Sequence, residues 1–360
     1  MLCPNVYVHL GQEKIVAKES MSNTSSITFF PACFVEIPST DKPQRAAFYL
    51  ATEEYLATNY PLDNYFFIWQ TLPTVVIGRH QVLEQEVNLE FCKQRNIDII
   101  RRKSGGGCIY SDGENIMLSF VTGAGPVEPI FKEYAQQISQ ALKTLGANVL
   151  VSGRNDITLE DGRKICGNSF YHLPQRNIVH GTMLYNFQPE TMRNAITPSN
   201  TKLKSHGVES VRSRVGSLKE FLKYDIEGLK QQLKNCLCNR HIVLTQEDIQ
   251  AIKKIEEGYY SPHYLHKKNF NHSTFTNKLH FEGCGTIELT LSLKESTITE
   301  IHLNGDFFEL SDSHKLFQDT FVNVEFSAPA IKQVIKTHHP EQAIRNLTEK
   351  QLIHLFDLQP

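Results

Sequence analysis

No apolar run approaches the roughly 20 residues that a membrane-spanning helix needs, and the first residues do not form a basic segment followed by an apolar core. Those absences argue against a membrane-spanning or secreted chain, and a cytoplasmic location is expected. Charge excess is missing too: 37 Lys+Arg against 39 Asp+Glu leave a net charge of −2, so nucleic acid is not expected as a bulk partner. The eight cysteines are scattered over 360 residues, which suits reduced thiols better than a disulfide framework. Their closest pair, Cys236-x-Cys238, is short for a zinc knuckle and lies in an amphipathic helical pattern, so it reads as core and helix surface. His263, His266 and His272 lack cysteine or carboxylate partners at ligand spacing and read as surface or linker. Neither a glycine run ending in Gly-Lys-Ser/Thr nor a helix-opening Gly-x-Gly-x-x-Gly is present, and there are no internal repeats.

What the chain does have is centred on residues 97–120. Gly105, Gly106 and Gly107 take every Cβ out of a turn between two β-rich runs, with Arg101, Arg102 and Lys103 before it and Asp112 and Asn115 after it. Backbone N–H groups there can approach an anion closely. This is the composition of a phosphate or adenylate cradle; a flexible hairpin with basic residues facing water is the other reading.

The length allows one large or two ordinary domains. Residues 1–30 form an extension without periodicity, with Ser22-Asn23-Thr24-Ser25-Ser26 as a link. Helical spacing follows over 45–59. Phe66-Phe67-Ile68-Trp69 and Thr74-Val75-Val76-Ile77 read as two buried strands around Pro73. A helix is expected within 84–96, a strand before the glycines, another over 116–121, and a helix over 129–145 stopped by Gly146. Asp161-Gly162 is a hairpin signal that places Asp156 and Lys164 on paired strands, and 178–186 is a further strand holding His180. Alone, a strand histidine reads as a satisfied core residue and a strand lysine as one that snorkels. Beyond a polar run with Lys202 and Lys204, an apolar helical face spans 218–237, and Thr245-x-x-Asp248 opens a helix. Little patterning over 259–278 marks a boundary. Past it, Ile287, Leu289, Leu291 and Leu293 alternate with polar residues as a half-buried strand, 297–303 is its partner, and helical patterns recur near 328–337 and 347–356.

Seven segments in order resemble the lipoate-protein ligase family: Pro73-Thr74-Val75-Val76-Ile77-Gly78-Arg79-His80-Gln81, Arg101-Arg102-Lys103-Ser104-Gly105-Gly106-Gly107, Asp112-x-x-Asn115, Gly153-Arg154-Asn155-Asp156, Lys164-Ile165-Cys166-Gly167, His180-Gly181-Thr182 and Ser210-Val211-Arg212-Ser213-Arg214. The C-terminal module with Gly305-Asp306-Phe307-Phe308 resembles that family's accessory domain. The resemblance implies an α+β fold, a mixed and mainly antiparallel sheet flanked by helices as in biotin ligases and class II aminoacyl-tRNA synthetases, with a catalytic domain over 31–262 and a small α+β accessory domain over 263–360. It implies a ligase that uses ATP and Mg²⁺ to turn free lipoate into lipoyl-AMP. The lipoyl group then passes to a lysine of lipoyl domains of 2-oxoacid dehydrogenase E2 subunits or of the glycine cleavage H protein. The resemblance leaves the oligomeric state open, and a monomer is expected.

In that scheme two anions must meet, and a fixed ammonium between them stabilises the developing charge; Lys164 takes that role. Gly105, Gly106, Gly107, Ile109, Tyr110, Asn115, Asp156 and Lys164 hold the nucleotide, and Asp156 holds Mg²⁺, a hard cation that prefers oxygen. Trp69, Arg102, Ser104 and His180 line the acyl site, where each buried methylene contributes about 0.8 kcal/mol. The chain departs from the family at Ser111-Asp112, at Glu114, in lacking an arginine near Phe170, and at Cys166. Two rivals remain: an ATP-independent octanoyl or lipoyl transferase, acting through a Cys166 thioester or by lysine-assisted exchange, and a silent binding module that turns nothing over.

Overall fold

Short runs of β-branched and aromatic residues set the strands. In the computed structural model, which describes residues 7–10, 13–17, 30–38, 44–153, 155–186, 189–196, 215–266 and 274–357, they are β1 (Tyr7–Leu10), β2 (Glu13–Ala17), β3 (Ala32–Glu36), β4 (Tyr65–Trp69), β5 (Thr74–Ile77), β6 (Asp98–Arg101), β7 (Ile109–Ser111), β8 (Ile116–Gly123), β9 (Val149–Ser152), β10 (Asp156–Leu159), β11 (Lys164–Leu173), β12 (Arg176–Met183) and β13 (Cys238–Val243). The Ser22–Ser26 link, Arg154, Lys202, Lys204, residues 210–214 and His272 lie outside the described residues.

Among the described residues, ten strands make one sheet in the order β1-β2-β13-β3-β4-β8-β12-β11-β10-β9. β3 pairs parallel with β13 and β4, and the other neighbours pair antiparallel. This is the expected mixed, mainly antiparallel sheet. A second sheet runs β6-β5-β7, so the two apolar runs around Pro73 fall in different sheets. The glycine loop is no hairpin either: β6 and β7 flank β5 on opposite sides, and the loop crosses over its end.

Helices cover both faces of the large sheet. On one side lies α1 (Ala46–Asn59), packed with Phe67, Trp69, Met117, Val121 and Ile178. The expected helix at 84–96 is split into α2 (Leu83–Glu86) and α3 (Leu89–Gln94) by Val87, which bridges to Ile196. On the opposite face, α4 (Val127–Thr144) buries Ile130, Phe131, Tyr134, Ile138 and Leu142 against Leu118, Phe120, Cys166 and Val179. It stops at Gly146, whose φ of +107° suits glycine. After α5 (Pro189–Ala195) come α6 (Ile226–Leu237), N-capped by Asp225, and α7 (Gln246–Tyr259), opened by the Thr245/Asp248 capping box. Cys236 is exposed near the end of α6, but Cys238 is the first residue of β13 and not helical, because its strand pairs with β3.

A short α8 (Pro262–His266) precedes the C-terminal module, where β14 (Phe275–Phe281), β15 (Gly285–Lys294) and β16 (Thr297–Gly305) form a three-stranded antiparallel sheet. The alternation read from the sequence holds: Ile287, Leu289 and Leu291 are buried together with Phe317, Ile331 and Phe356. Helices α9 (Ser313–Phe321), α10 (Ala328–His338) and α11 (Glu349–Leu355) cover that face.

Candidate functional site

Register fixes which side chains share a face. Asp156, Gly167, Thr182, Met117 and Trp69 stand opposite one another across five strands, and one same-face step along are Ser169, His180, Ser119 and Phe67. Plain alternation on β11 would put Lys164 on the face of Cys166. Instead a β-bulge lets Thr158 pair with Lys164 while its neighbour Ile157 pairs with Cys166, which re-aims Lys164 onto the Asp156 face. Lys164 Nζ then lies 2.7 Å from Asp156 Oδ1, with about a third of each side chain exposed. The ammonium arches over Gly167, where a Cβ would come within 2.6 Å of it. Cys166 points the other way, into the core under α4, and burial pushes its thiol up to about 12 despite the nearby Lys164. A thiol so placed is a poor nucleophile.

The basic triplet before the glycines is used differently from the expectation. Arg101 is fully buried and donates to the carbonyls of Gly78 (2.9 Å), Gln81 (2.6 Å) and Leu265 (2.7 Å). Arg102 donates to Ser104 Oγ (2.9 Å) and to the carbonyls of Gly105 (2.7 Å) and Gly107 (2.8 Å). Burial brings both guanidinium pKa values down to about 10, and both stay charged at neutral pH. Lys103 is paired with Glu54. Arg102 therefore holds the glycine loop's shape, Arg101 ties the Gly78–Gln81 turn to Leu265, and neither faces water. The Gly106 N–H donates to the carbonyl of Phe307, 3.1 Å away, and a Cβ on Gly105 would meet that same oxygen at 2.4 Å. The C-terminal module thus rests on the cradle. Glu309 secures it there, 2.9 Å from His80 Nε2 and 3.3 Å from Arg79 Nη1. A cavity of about 310 Å³ opens at this junction beside Lys103, Tyr171 and Asp312.

Of the remaining expected nucleotide residues, Ile109 and Tyr110 lie on β7 beside β5, with Tyr110 buried. Asn115 is buried ahead of β8; its Nδ2 donates to Asp112 Oδ1 (3.1 Å), and its Oδ1 has no hydrogen-bond partner among the described residues. The available atom is thus an acceptor, which suits a cation or a hydroxyl better than a phosphate oxygen. Asp156 is a hard oxygen donor on β10, three strands across the sheet from β8 and Asn115, and no group of three or more His, Cys, Asp or Glu side chains suited to a metal occurs among the described residues. A single carboxylate fits Mg²⁺, which is commonly held by one or two carboxylates together with substrate phosphates.

All four expected acyl-site residues meet. Ser104 Oγ lies 2.7 Å from His180 Nε2, Arg102 reaches the same Oγ, and Trp69 Nε1 donates to Ser119 Oγ at 2.9 Å. What joins them was not legible: Glu53, buried on α1, lies 2.9 Å from His180 Nδ1 and accepts from Ser119 Oγ. It is 127 residues from His180 in sequence, and its neighbour Glu54 has the same local pattern.

The sequence matches two families, the lipoyl protein ligase A/B catalytic domain over residues 45–238 and the bacterial lipoate protein ligase C-terminus over 271–356. Lipoate--protein ligase 1 of Staphylococcus aureus is 33% identical over 73% of this chain and 82% of its own length. Lipoate-protein ligase LplJ of Bacillus subtilis is 30% identical over 85% of this chain and 95% of its own. The structure of Plasmodium falciparum LipL1 in complex with lipoate superposes with a TM-score of 0.72 at 17% identity, covering 90% of this chain and 99% of that one. A lipoate-protein ligase A bound with ATP gives 0.55 at 20% identity, covering 65% and 98%. At those identities the likeness is one of fold.

Proposed function

Because the chain belongs to the lipoate-protein ligase family, we propose that it joins free lipoate to ATP as lipoyl-AMP, releasing diphosphate, and then passes the lipoyl group to a lysine of an acceptor protein, releasing AMP. The observation that carries this reading is the bulge-directed Lys164 ammonium, 2.7 Å from Asp156 on the face that also holds His180. Asp156 would hold Mg²⁺ when the nucleotide is bound, and the Lys164 ammonium would then lie between the lipoate carboxylate and the α-phosphate. There it offsets charge that develops as the acyl oxygen attacks phosphorus, and again as the acceptor amine attacks the acyl carbon. Mg²⁺, held by Asp156, would neutralise the departing diphosphate.

The nucleotide set is Gly105, Gly106, Gly107, Ile109, Tyr110, Asn115, Asp156 and Lys164; Trp69, Arg102, Ser104 and His180 form the acyl site, with Arg102 acting through the loop it braces. The catalytic work belongs to residues 31–262, and 263–360 serve as the accessory domain. Lipoyl domains of E2 subunits and the glycine cleavage H protein are the proposed acceptors, with the enzyme a cytoplasmic monomer. No helix among the described residues is long and apolar enough to cross a membrane. Burial of Cys166 on the opposite face weighs against the thioester transferase. The test is diphosphate release from Mg-ATP on lipoate addition, with AMP appearing only when an apo-lipoyl domain is added. Acyl transfer from a lipoylated donor protein without nucleotide would replace this reading with the transferase.

A further inference from the structure

Two hydrogen-bond chains meet at Glu53, and the groups that can only donate or only accept set their direction. Trp69 Nε1 can only donate, so Ser119 Oγ accepts from it at 2.9 Å and turns its own hydrogen to the Glu53 carboxylate. The same carboxylate can only accept, so His180 Nδ1, 2.9 Å from Oε2, carries the ring hydrogen. In the neutral ring Nε2 is then the acceptor, and Ser104, which accepts from Arg102 at 2.9 Å, turns its hydrogen to Nε2 at 2.7 Å. Ser104, Ser119, Glu53 and His180 are all buried, so water does not scramble these directions.

We propose that Glu53 is the positioning residue of the acyl site: as the common acceptor of both chains, its carboxylate fixes the tautomer of His180 and the hydroxyl direction of Ser104. The inference rests on the ligase reading for the identity of the ligand and deepens it by orienting that ligand. With its hydrogen given to His180, Ser104 offers the site no donor, so a carboxylate gains nothing there. The carboxylate end of the acid therefore lies at Lys164, and the alkyl chain runs toward Ser104, His180 and Trp69. Glu53 touches no substrate in this account and acts through His180.

Glu53 Oε1 accepts from Ser119 and Oε2 faces His180 Nδ1 at 2.9 Å; Gln puts an NH2 in place of one of these oxygens, which sets a donor against one incoming hydrogen and favours reversal of that chain. The experiment measures the full-length native protein, Glu53→Gln and Glu53→Asp by two readouts: calorimetric binding of lipoate without nucleotide, and the ring ¹⁵N shifts of His180, which report the nitrogen that carries the hydrogen. For Glu53→Gln the expected result is lipoate binding weakened about tenfold or more and loss of the Nδ1–H signature. Glu53→Asp keeps the acceptor and should return that signature most of the way. An unchanged His180 tautomer in Glu53→Gln would overturn the proposal, as would Asp and Gln variants behaving alike, which would mark Glu53 as a space-filling residue. If the native protein binds no lipoate at all, the ligase reading falls, while the tautomer signature still decides the positioning role.

Discussion

One face of the large sheet has an open end and a closed end, and they use charge in opposite ways. At the open end, Lys164 and Asp156 pair with about a third of each side chain exposed, and each is available to a ligand. At the closed end, Arg101, Arg102, Glu53 and His180 are buried, and their hydrogen bonds go to the protein itself. A charge that has to meet substrate must be cheap to unpair; one that shapes the site must not be. Removing the first should cost activity and removing the second should cost stability.

Lys164→Ala is the sharpest way to test that division. Its kcat/KM for lipoylation is expected to fall about 10³-fold, roughly 4 kcal/mol of transition-state stabilisation, while the melting temperature stays close to the native value. Parallel kinetics and thermal melts would reveal the opposite pattern, a large loss of stability, if the lysine were structural. Arg101→Met is the counterpart at the closed end. It strands the carbonyls of Gly78, Gln81 and Leu265 and should destabilise the fold by about 3 kcal/mol or more in denaturant titrations; a near-native midpoint would break the comparison.

The junction with the C-terminal module lies between these extremes. Burial raises the Glu309 pKa, but His80, Arg79 and Ser313 outweigh it and hold it at about 2, down from 4.5. The contact's contribution is therefore complete above pH 4.5 and is lost as pH falls through 2. Linkage puts it at about 3 kcal/mol at most, and Glu309→Gln should flatten the stability-versus-pH curve in that window. An identical acid profile in the variant would remove Glu309 from the account. The smallest effect is expected for Cys166→Ala: activity within about twofold and about 1 kcal/mol of stability, since the thiol is packed under α4, away from Lys164. Abolished turnover there would revive the thioester route.

Much of the architecture was legible because local signals agreed with it. Asp161-Gly162 set the hairpin that brings Asp156 opposite Gly167, the Thr245/Asp248 box opened α7, and strict alternation gave β15. Strand β13 was missed because Cys-Asn-Arg-His-Ile-Val carries little apolar pattern; among its residues Ile242 is buried in the core, and the strand is held by backbone pairing with β3. The site was legible in its residue types but less so in their tasks. The bulge that re-aims Lys164 has no local signature, and the Arg101-Arg102-Lys103 run reads as anion-binding until the fold shows two of its members enclosed by carbonyls. Glu53 could not be separated from Glu54, since which of the two faces His180 depends on how α1 packs on β12.

The most direct test of the central claim is mass spectrometry of an apo-lipoyl domain incubated with lipoate, Mg-ATP and either the native protein or Lys164→Ala. The account predicts an added lipoyl group on one lysine with the native protein, none without ATP, and a severe loss of transfer with the variant. Lipoylation that proceeds without ATP, or equally well with Lys164→Ala, would contradict it.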